Sequence, residues 1–323
     1  MQGISACLKR MKKMAGIDLK ELTKKKSPLT EGHRMCPGCG APAAVRQGLM
    51  AVEDPVVIVG ATGCLEVSTT VYPYSAWRVP FMHIAFENAG AGVSGGEAAH
   101  RVLSRKGAAR KKIKFVAIGG DGGTYDIGLQ SLSGALERGH DFTYICYNNQ
   151  GYMNTGAQRS SATPVSANAT TSPAGSVIPG KLERAKNLTE IVAAHDIPYD
   201  AQTTLHNPMD VIAKVKRAVE TPGPAFVNIL VPCPLFWKID SCDQVKVCKL
   251  AADSRFWPVY EVIEGRHVLS YDPKTPVPIE DFLRAQGRYS HLFKKGKERT
   301  DLIAQGQADV EREWEKLLKK CSR

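Results

Sequence analysis

The sequence predicts an α/β protein in which a mostly parallel sheet is flanked by helices. From Met35 to about Val231, short apolar runs typical of buried strands alternate with segments of helical periodicity. The composition is ordinary for a globular protein, with 43% hydrophobic and 23% charged residues. The 323 residues contain no internal repeat and suffice for one large α/β domain with appendages, or for two modest domains.

The region contains five predicted strands and five predicted helices. The strands span residues 56–60, 81–86, 115–119, 142–147 and 225–230. The helices span residues 42–52, 97–106, 129–138, 183–195 and 208–219. Between Asn154 and Gly180 lies a long segment rich in Ser, Thr, Ala, Gly and Pro. A loop of that length in a compact domain is usually functional or mobile.

Three parts of the chain are predicted. Residues 1–31 form a basic N-terminal arm, residues 32–239 form the α/β domain, and residues 240–323 form an extended C-terminal arm. The regular alternation ends after Cys233, and the C-terminal arm carries one amphipathic helix, predicted over residues 301–320. We expect this arm to contact another subunit.

The net charge of +11 lies mostly at the two ends of the chain. Residues 1–30 carry +6 and residues 294–323 carry +3, which leaves only +2 for the other 263 residues. A nucleic-acid groove would need basic residues on the folded surface, so we expect no nucleic-acid partner. The basic ends favour contacts with another subunit or electrostatic steering of an acidic protein partner.

The location of the protein follows from its apolar segments and its cysteines. No apolar run reaches the length of about 18 residues that spans a bilayer, and the N-terminus lacks the apolar segment of a secretory signal. We therefore expect a cytoplasmic protein without a membrane partner. The odd number of nine cysteines favours metal or redox chemistry over disulfides.

A Gly-Asp-Gly sequence followed by an Asn pair marks the first candidate site. Gly120-Asp121-Gly122 follows one predicted strand, and Asn148-Asn149 comes 25 residues later, after the next. This spacing resembles the pattern shared by thiamine-diphosphate enzymes. A βαβ unit brings the carboxyl ends of its strands together, so the Asp121 carboxylate and the Asn149 side-chain carbonyl can face one Mg²⁺ ion. The alternative is a chance Asp-Gly turn before an Asn-rich loop.

Two further glycine-containing segments bear on this interpretation. Gly128 begins a predicted helix whose N–H groups favour an anion such as a diphosphate. Residues 90–95 match the GxGxxG fingerprint of dinucleotide sites, but the carboxylate expected about 20 residues later is absent. We interpret residues 90–95 as a tight strand-to-helix turn.

Four cysteines form the second candidate site. Cys36-Pro-Gly-Cys39 lies in a Gly/Pro-rich loop, Cys64 follows the first predicted strand, and Cys233 follows the last. Together they could bind a [4Fe–4S] cluster, although spacing alone also permits zinc, and a CxxC pair permits thiol redox chemistry. Oxidation of a 2-oxoacid with thiamine diphosphate needs an electron acceptor, which favours the cluster.

Two other cysteines, Cys242 and Cys248, lie close behind Cys233 and are rival candidates for the fourth ligand.

The chain from residue 32 to 293 resembles the β-subunit family of pyruvate:ferredoxin oxidoreductases. The stretches that carry the resemblance are GHRMCPGCGAPAAVR, VGATGCLEV, YPYSAWRVPFMHIAFENAGAGVSGGEAA, GGDGGTYDIG, YNNQGYMNTGAQRSSATP, VPCP and QGRYSHLF. One departure is Pro234-Leu235-Phe236-Trp237, where the family commonly has a Pro-Thr/Arg-Gly-Trp run. The resemblance implies the thiamine-diphosphate-binding fold.

The resemblance also implies roles for individual residues. The cofactors would be thiamine diphosphate, Mg²⁺ and a [4Fe–4S] cluster. The implied thiamine-diphosphate residues are Gly120, Asp121, Gly122, Asn149, Gly151 and Cys64. The implied cluster ligands are Cys36, Cys39, Cys64 and Cys233, and the implied Mg²⁺ ligands are Asp121, Asn149 and Gly151. Asn154 falls where the family has a polar side chain beside the substrate.

The activity implied by the resemblance is coenzyme A-dependent oxidative decarboxylation of a 2-oxoacid, with pyruvate favoured and ferredoxin as electron acceptor. In the family an α-type subunit supplies the glutamate that activates the cofactor, so this chain would be inactive alone, and γ- and δ-type subunits are expected partners. The alternatives are another 2-oxoacid (phenylglyoxylate, a branched-chain 2-oxoacid or oxalate), a non-redox thiamine carboligase or decarboxylase with structural zinc, or a non-catalytic metal-binding module.

Overall fold

An eight-stranded sheet dominates the computed structural model, which describes residues 18–109 and 111–322. The strand order is β2-β1-β3-β4-β6-β5-β7-β8; strands β1 to β6 are parallel, and β7 and β8 are antiparallel to their neighbours. The strands are β1 Val56–Ala61, β2 Phe81–Ile84, β3 Lys114–Gly120, β4 Phe142–Asn148, β5 Tyr199–Thr204, β6 Ala225–Leu230, β7 Val259–Ile263 and β8 Arg266–Tyr271. The predicted fold class is confirmed.

Helices cover both faces of the sheet. The α-helices are α1 Leu19–Lys24, α2 Gly40–Met50, α3 Cys64–Thr69, α4 Ala89–Arg105, α5 Leu129–Glu137, α6 Leu188–Ala193, α7 Pro208–Glu220, α8 Pro234–Trp237, α9 Gln244–Asp253, α10 Ile279–Arg284 and α11 Thr300–Cys321. Helices α2 and α7 bury apolar residues against one face, and α4, α5 and α6 do so against the other. No helix in the described part of the chain combines the length and apolar character needed to cross a bilayer.

The five predicted strands and the helices α2, α5, α7 and α11 are confirmed to within a few residues. Helix α6 is shorter than predicted because the Asn187 side chain accepts a hydrogen bond from Glu190 N, which fixes the start of the helix after residue 187. Most of the basic arm, residues 1–17, lies outside the described residues.

The interpretation of residues 90–95 as a tight turn is wrong. These residues lie inside α4, which begins at Ala89. Gly90 among them serves helix packing: a Cβ atom there would lie 2.6 Å from the Ser131 carbonyl oxygen, so only glycine lets α4 approach α5 this closely.

The C-terminal part of the chain contributes two strands that the sequence analysis missed. Strand β7 pairs with β5, and β8 pairs with β7 through a two-residue hairpin. Glu264 and Gly265 in the hairpin both have positive φ angles, as a type I′ turn requires. The predicted boundary after residue 239 therefore does not separate two packing units, because residues 259–271 continue the main sheet. Contact of the C-terminal arm with another subunit stays a prediction.

Strand β5 was missed because its sequence, Tyr-Asp-Ala-Gln-Thr-Thr, is polar, although all six residues are buried. Asp200 in this strand is 1% exposed, and neither of its carboxyl oxygens has a hydrogen-bond partner among the described residues. Burial raises the pKa of Asp200 well above its ordinary range, and the negative charge of Glu190 adds to the increase. The buried carboxyl is thus held in its neutral form.

We expect Asp200→Asn to raise the melting temperature, by more at pH 8 than at pH 5. As pH rises above about 4, the unfolded chain ionises Asp200 while the folded chain does not, so the stability of the wild-type protein falls. The amide side chain of the variant does not ionise, so its stability does not fall in this way as pH rises. Thermal unfolding at both pH values tests the expectation, with the exposed Glu137→Gln as control. Destabilisation by Asp200→Asn at both pH values would contradict it.

Candidate cofactor site

The candidate residues gather at the carboxyl ends of four neighbouring parallel strands. Cys64 follows β1, Asp121 follows β3, Asn149 follows β4 and Cys233 follows β6. These strands are adjacent in the order β1-β3-β4-β6, and Gly120 at the end of β3 is opposite Tyr147 in β4. The sheet therefore places both predicted sites along one edge.

One half of this sheet edge carries the oxygen donors, and Asp121 lies buried at its centre. Its side chain is 0% exposed; Oδ1 accepts a hydrogen bond from Asn149 N at 3.1 Å, and Oδ2 accepts one from Ser160 Oγ at 2.5 Å. Burial raises the pKa of Asp121 to about 7, against the opposing effect of these hydrogen bonds. Such a carboxylate gains from a nearby cation.

The Asn149 side chain lies between the other two oxygen donors. The atom of its amide group that faces them is 3.0 Å from Asp121 Oδ1 and 2.9 Å from the Gly151 carbonyl oxygen. With the amide nitrogen in that position, Asn149 donates to both oxygens. With the amide oxygen there, three oxygens lie side by side, and oxygens are the hard ligands that Mg²⁺ prefers.

The Gly-Asp-Gly sequence continues into a π-helical turn, Gly122–Ile127, and then into α5. Gly122 and Gly123 are buried, and Gly128 is the N-cap of α5, as predicted. Asn154 lies in an exposed turn farther along the loop, between Tyr152 and Gln158, whose backbones are hydrogen bonded (Tyr152 N to Gln158 O, 2.9 Å).

The other half of the edge brings the four cysteines together. The negative forms of Cys36, Cys64 and Cys233 all raise the pKa of Cys39, so the four thiols are near neighbours. All four are free, without disulfides. Among the described residues, no three His, Cys, Asp or Glu side chains are arranged to hold a single metal ion. The thiols thus share one region without surrounding one common point.

The thiols lie where helix N-termini favour anionic sulfur. Cys39 and Cys233 are the N-caps of α2 and α8, and Cys64 is the first residue of α3. Burial raises the pKa of Cys39 to about 12 and that of Cys64 to about 11, and it also raises the pKa of Cys233. Thiolates here therefore depend on an additional source of positive charge, such as bound metal.

The two rival cysteines, Cys248 and Cys242, lie in different surroundings. Cys248 is buried in the core between sheet and helices, where its Sγ lies 3.9 Å from the Leu230 carbonyl oxygen. Cys242 is exposed and lies beyond α8. Cys242 directly follows Ser241, whose side chain contacts Pro37 in the Cys36–Cys39 loop, so Cys242 stays a rival candidate for the fourth ligand.

Residues 241–244 support the cysteine loops, a role that the sequence did not reveal. Ser241 Oγ donates to Pro37 O at 3.0 Å, and Gln244 Nε2 donates to Gly38 O and, at 3.1 Å, to Pro232 O. Gly38 has a positive φ angle of 74°, and a Cβ atom there would lie 2.5 Å from Ser241 Cα. Other residues missed from the sequence are Ser160, Gln150, Trp237 and Arg288, whose polar atoms find their partners only in the folded chain.

The domain that surrounds this site is that of a thiamine enzyme. Residues 61–229 match the family described as thiamine pyrophosphate enzyme, C-terminal TPP binding domain. A solved 2-oxoglutarate:ferredoxin oxidoreductase from Magnetococcus marinus shares the fold, with a TM-score of 0.54 and 24% identity over 66% of this chain and 70% of that chain.

Close relatives define the subfamily. Pyruvate synthase subunit PorB of Thermotoga maritima is 48% identical over 304 residues, which cover 92% of this chain and 93% of the relative. PorB of Methanosarcina barkeri is 47% identical, covering 84% and 90%. Ketoisovalerate oxidoreductase subunit VorB of Pyrococcus abyssi is 40% identical, covering 89% and 91%. The chain belongs to this family of thiamine-pyrophosphate-binding subunits of 2-oxoacid oxidoreductases.

We expect Gly38→Ala to destabilise the protein by more than Gly139→Ala does. Both glycines have positive φ angles, but a Cβ atom on Gly139 meets nothing within 4 Å. The control therefore shows only the backbone strain, about 1 kcal/mol, whereas Gly38→Ala must also displace Ser241, for a total of about 2–3 kcal/mol. Urea unfolding measures the difference; equal losses would show that the Cys36–Cys39 loop packs loosely.

Proposed function

We propose that this chain is the subunit of a pyruvate:ferredoxin oxidoreductase that binds thiamine diphosphate, Mg²⁺ and a [4Fe–4S] cluster. The enzyme converts pyruvate and coenzyme A to acetyl-CoA and CO₂, reversibly, and passes the electrons through the cluster to ferredoxin. The observation that carries this proposal is the adjacency of the oxygen and thiol halves of the site: Cys64 and Asp121 follow neighbouring strands, β1 and β3, and the Asp121 carboxylate raises the pKa of the Cys64 thiol. The choice of pyruvate follows the PorB relatives.

The oxygen donors fit Mg²⁺ and a diphosphate. Asp121 Oδ1, the Asn149 side-chain oxygen and the Gly151 carbonyl would hold the ion, with diphosphate oxygens and water as further ligands. Ser160 and the Asn149 backbone N–H orient the Asp121 carboxylate. Gly120 and Gly122 flank Asp121 and add no side chain near the diphosphate, while the N-terminus of α5 favours its negative charge. When bound, thiamine diphosphate supplies the nucleophilic carbon and the electron sink for decarboxylation.

The thiol donors fit an iron–sulfur cluster. Cys36, Cys39, Cys64 and Cys233 supply four sulfur ligands, and three of them lie at helix N-termini whose N–H groups compensate negative charge on sulfur. Since Cys64 is close enough to Asp121 for the carboxylate to raise the pKa of its thiol, electrons would travel only a short distance from the reaction site to the cluster. Zinc in the same place would provide no electron acceptor.

The surface beside the site fits a partner subunit. Tyr72 is 93% exposed, Tyr74 is 76% exposed and Leu235 is 74% exposed. The tyrosines follow α3, which begins at Cys64, and Leu235 follows Cys233. We propose that an α-type subunit covers this surface and contributes the activating glutamate, that this chain alone is inactive, and that γ- and δ-type subunits carry electrons on to ferredoxin. Asn154, exposed in its turn, would face the substrate. The free cysteines suit the reducing cytoplasm.

Substrate-dependent bleaching tests the function. The complex is purified without oxygen, its thiamine diphosphate, magnesium, iron and sulfide are measured, and absorbance near 400 nm, where thiolate-bound iron–sulfur clusters absorb, is followed as substrate and coenzyme A are added. We expect pyruvate to bleach this band. Bleaching only by ketoisovalerate, the substrate in the name of the VorB relative, would move the assignment to branched-chain 2-oxoacids. Phenylglyoxylate and oxalate are tested in the same way as the remaining candidate substrates. Zinc without iron would indicate a non-redox thiamine enzyme.

Cysteine substitutions test the ligand assignment. We expect Cys233→Ser to lose the cluster nearest the cofactor, because serine replaces a soft sulfur ligand by an alcohol, while thiamine diphosphate content is retained. Cys248→Ser serves as the control and should keep iron and sulfide at wild-type levels, since its Sγ lies in the apolar core beside the Leu230 carbonyl oxygen, and Cys242→Ser tests the rival ligand. Iron and sulfide analysis and electron paramagnetic resonance (EPR) measure the outcome. Full cluster content in Cys233→Ser would reopen the choice of the fourth ligand.

A further inference from the structure

A buried arginine from the C-terminal part of the chain lies beside both halves of the site. Arg288 belongs to the QGRYSHLF stretch and lies in a 3₁₀ helix, Gly287–Phe293. Its side chain is 0% exposed. Backbone hydrogen bonds tie this helix to the rest of the fold, from Gly287 N to Lys238 O at 3.2 Å and from Asn168 N to Arg288 O at 3.1 Å. The proposed function leaves Arg288 without a role.

On the magnesium side, Arg288 holds the residue between two proposed ligands. Its Nη2 donates to Gln150 Oε1 at 2.6 Å, and Gln150 lies between Asn149 and Gly151. Gln150 has a positive φ angle of 66° and is 2% exposed, so its side chain has little freedom to move. Arg288 therefore helps to fix the turn that presents both oxygen donors.

On the thiol side, Arg288 stacks on the segment that begins at Cys233. The guanidinium carbon lies 4.0 Å from the centre of the Trp237 ring and 5.2 Å from that of Phe236. Trp237 N donates to Cys233 O at 2.9 Å, and Trp237 Nε1 donates to Asn149 O at 2.8 Å. Trp237 thus connects Cys233 to the turn formed by residues 149–151 (the magnesium turn), and Arg288 packs against the Trp237 ring.

The charge of Arg288 is not neutralised by its hydrogen-bond partners. Both acceptors, Gln150 Oε1 and Gln286 Oε1, are neutral amides, and Nη1 has no partner among residues 18–109 and 111–322. Burial lowers the pKa of Arg288 to about 10, so the guanidinium stays cationic at neutral pH. The negative forms of Tyr289, Cys233 and Asp121 each favour its charged state.

We propose that Arg288 is the internal counter-ion of the cofactor site, a positioning residue that holds the magnesium turn and the Cys233–Trp237 segment together and raises the reduction potential of the cluster. This inference rests on the proposed function. A cluster held by four thiolates is anionic and gains a further negative charge on reduction. A fixed cation nearby therefore stabilises the reduced form more than the oxidised form, with little screening in a buried site.

The test is the midpoint potential of this cluster in the anaerobically purified complex, measured by redox titration with EPR detection. The relevant signal is the one missing from the Cys233→Ser enzyme. Arg288→Gln removes the charge, and Gln150→Glu neutralises it in place while keeping a hydrogen-bond acceptor. We expect both to lower the potential by about 59 mV, a tenfold change in the one-electron equilibrium constant. Thiamine diphosphate content, measured in parallel, should stay at the wild-type level in Gln150→Glu.

Two variants control for charge and for location. Arg288→Lys keeps the cation and should keep the wild-type potential. Arg284→Gln removes an exposed arginine from α10, next to the same 3₁₀ helix, and should also have no effect. If Arg288→Gln fails to assemble, Gln150→Glu decides, because it retains the arginine. Equal potentials in Gln150→Glu and Arg284→Gln would overturn the role of Arg288. A wild-type complex without the cluster would instead overturn the proposed function itself.

Discussion

The parallel pairing of β1, β3, β4 and β6 is the constraint on which the whole site depends. Parallel strands must all end at the same edge, so the loops after them meet even though they are far apart in the chain. Cys64, Asp121, Asn149 and Cys233 each lie within a few residues of a strand end. A shift of one strand by two residues would move its ligand by about 6.6 Å, which no side chain here could absorb.

The sequence was sufficient to predict those elements whose local residue pattern agrees with their place in the fold. Buried parallel strands are continuous apolar runs, and the spacing from Asp121 to Asn149 is that of one βαβ unit, so both could be read directly. The sequence was insufficient to predict the burial or the role of a residue that depends on a partner far away in the chain. Strand β5 is polar but buried, because Gln202 accepts from Thr189 at 2.8 Å and Thr203 donates to Asp210. Nothing near Arg288 in the sequence identifies Gln150 as its partner.

The segment after residue 239 adds two strands to one end of the sheet and helices that pack behind the site. Strands β7 and β8 extend the sheet beyond β5, and the buried residues of α9 and α10 pack in the same apolar cluster as Phe236 and Trp237. The cluster lies directly behind the turn that carries Asn149 and Gly151. Because apolar side chains there exclude water, the polar groups of the site interact in a medium of low dielectric constant, where charges act strongly on one another.

The wide spacing of the site residues along the chain also determines when the site can form. The Cys36–Cys39 loop rests on Ser241 and Gln244, and the magnesium turn rests on Arg288, so early and central parts of the chain depend on supports from its C-terminal part. Contacts between such distant residues form late in folding, since the chain entropy of closing long loops must first be overcome. On the proposed function, metal and sulfide would therefore encounter four organised thiols only after synthesis of the chain is nearly complete, and cofactor loading would be a post-translational step of maturation.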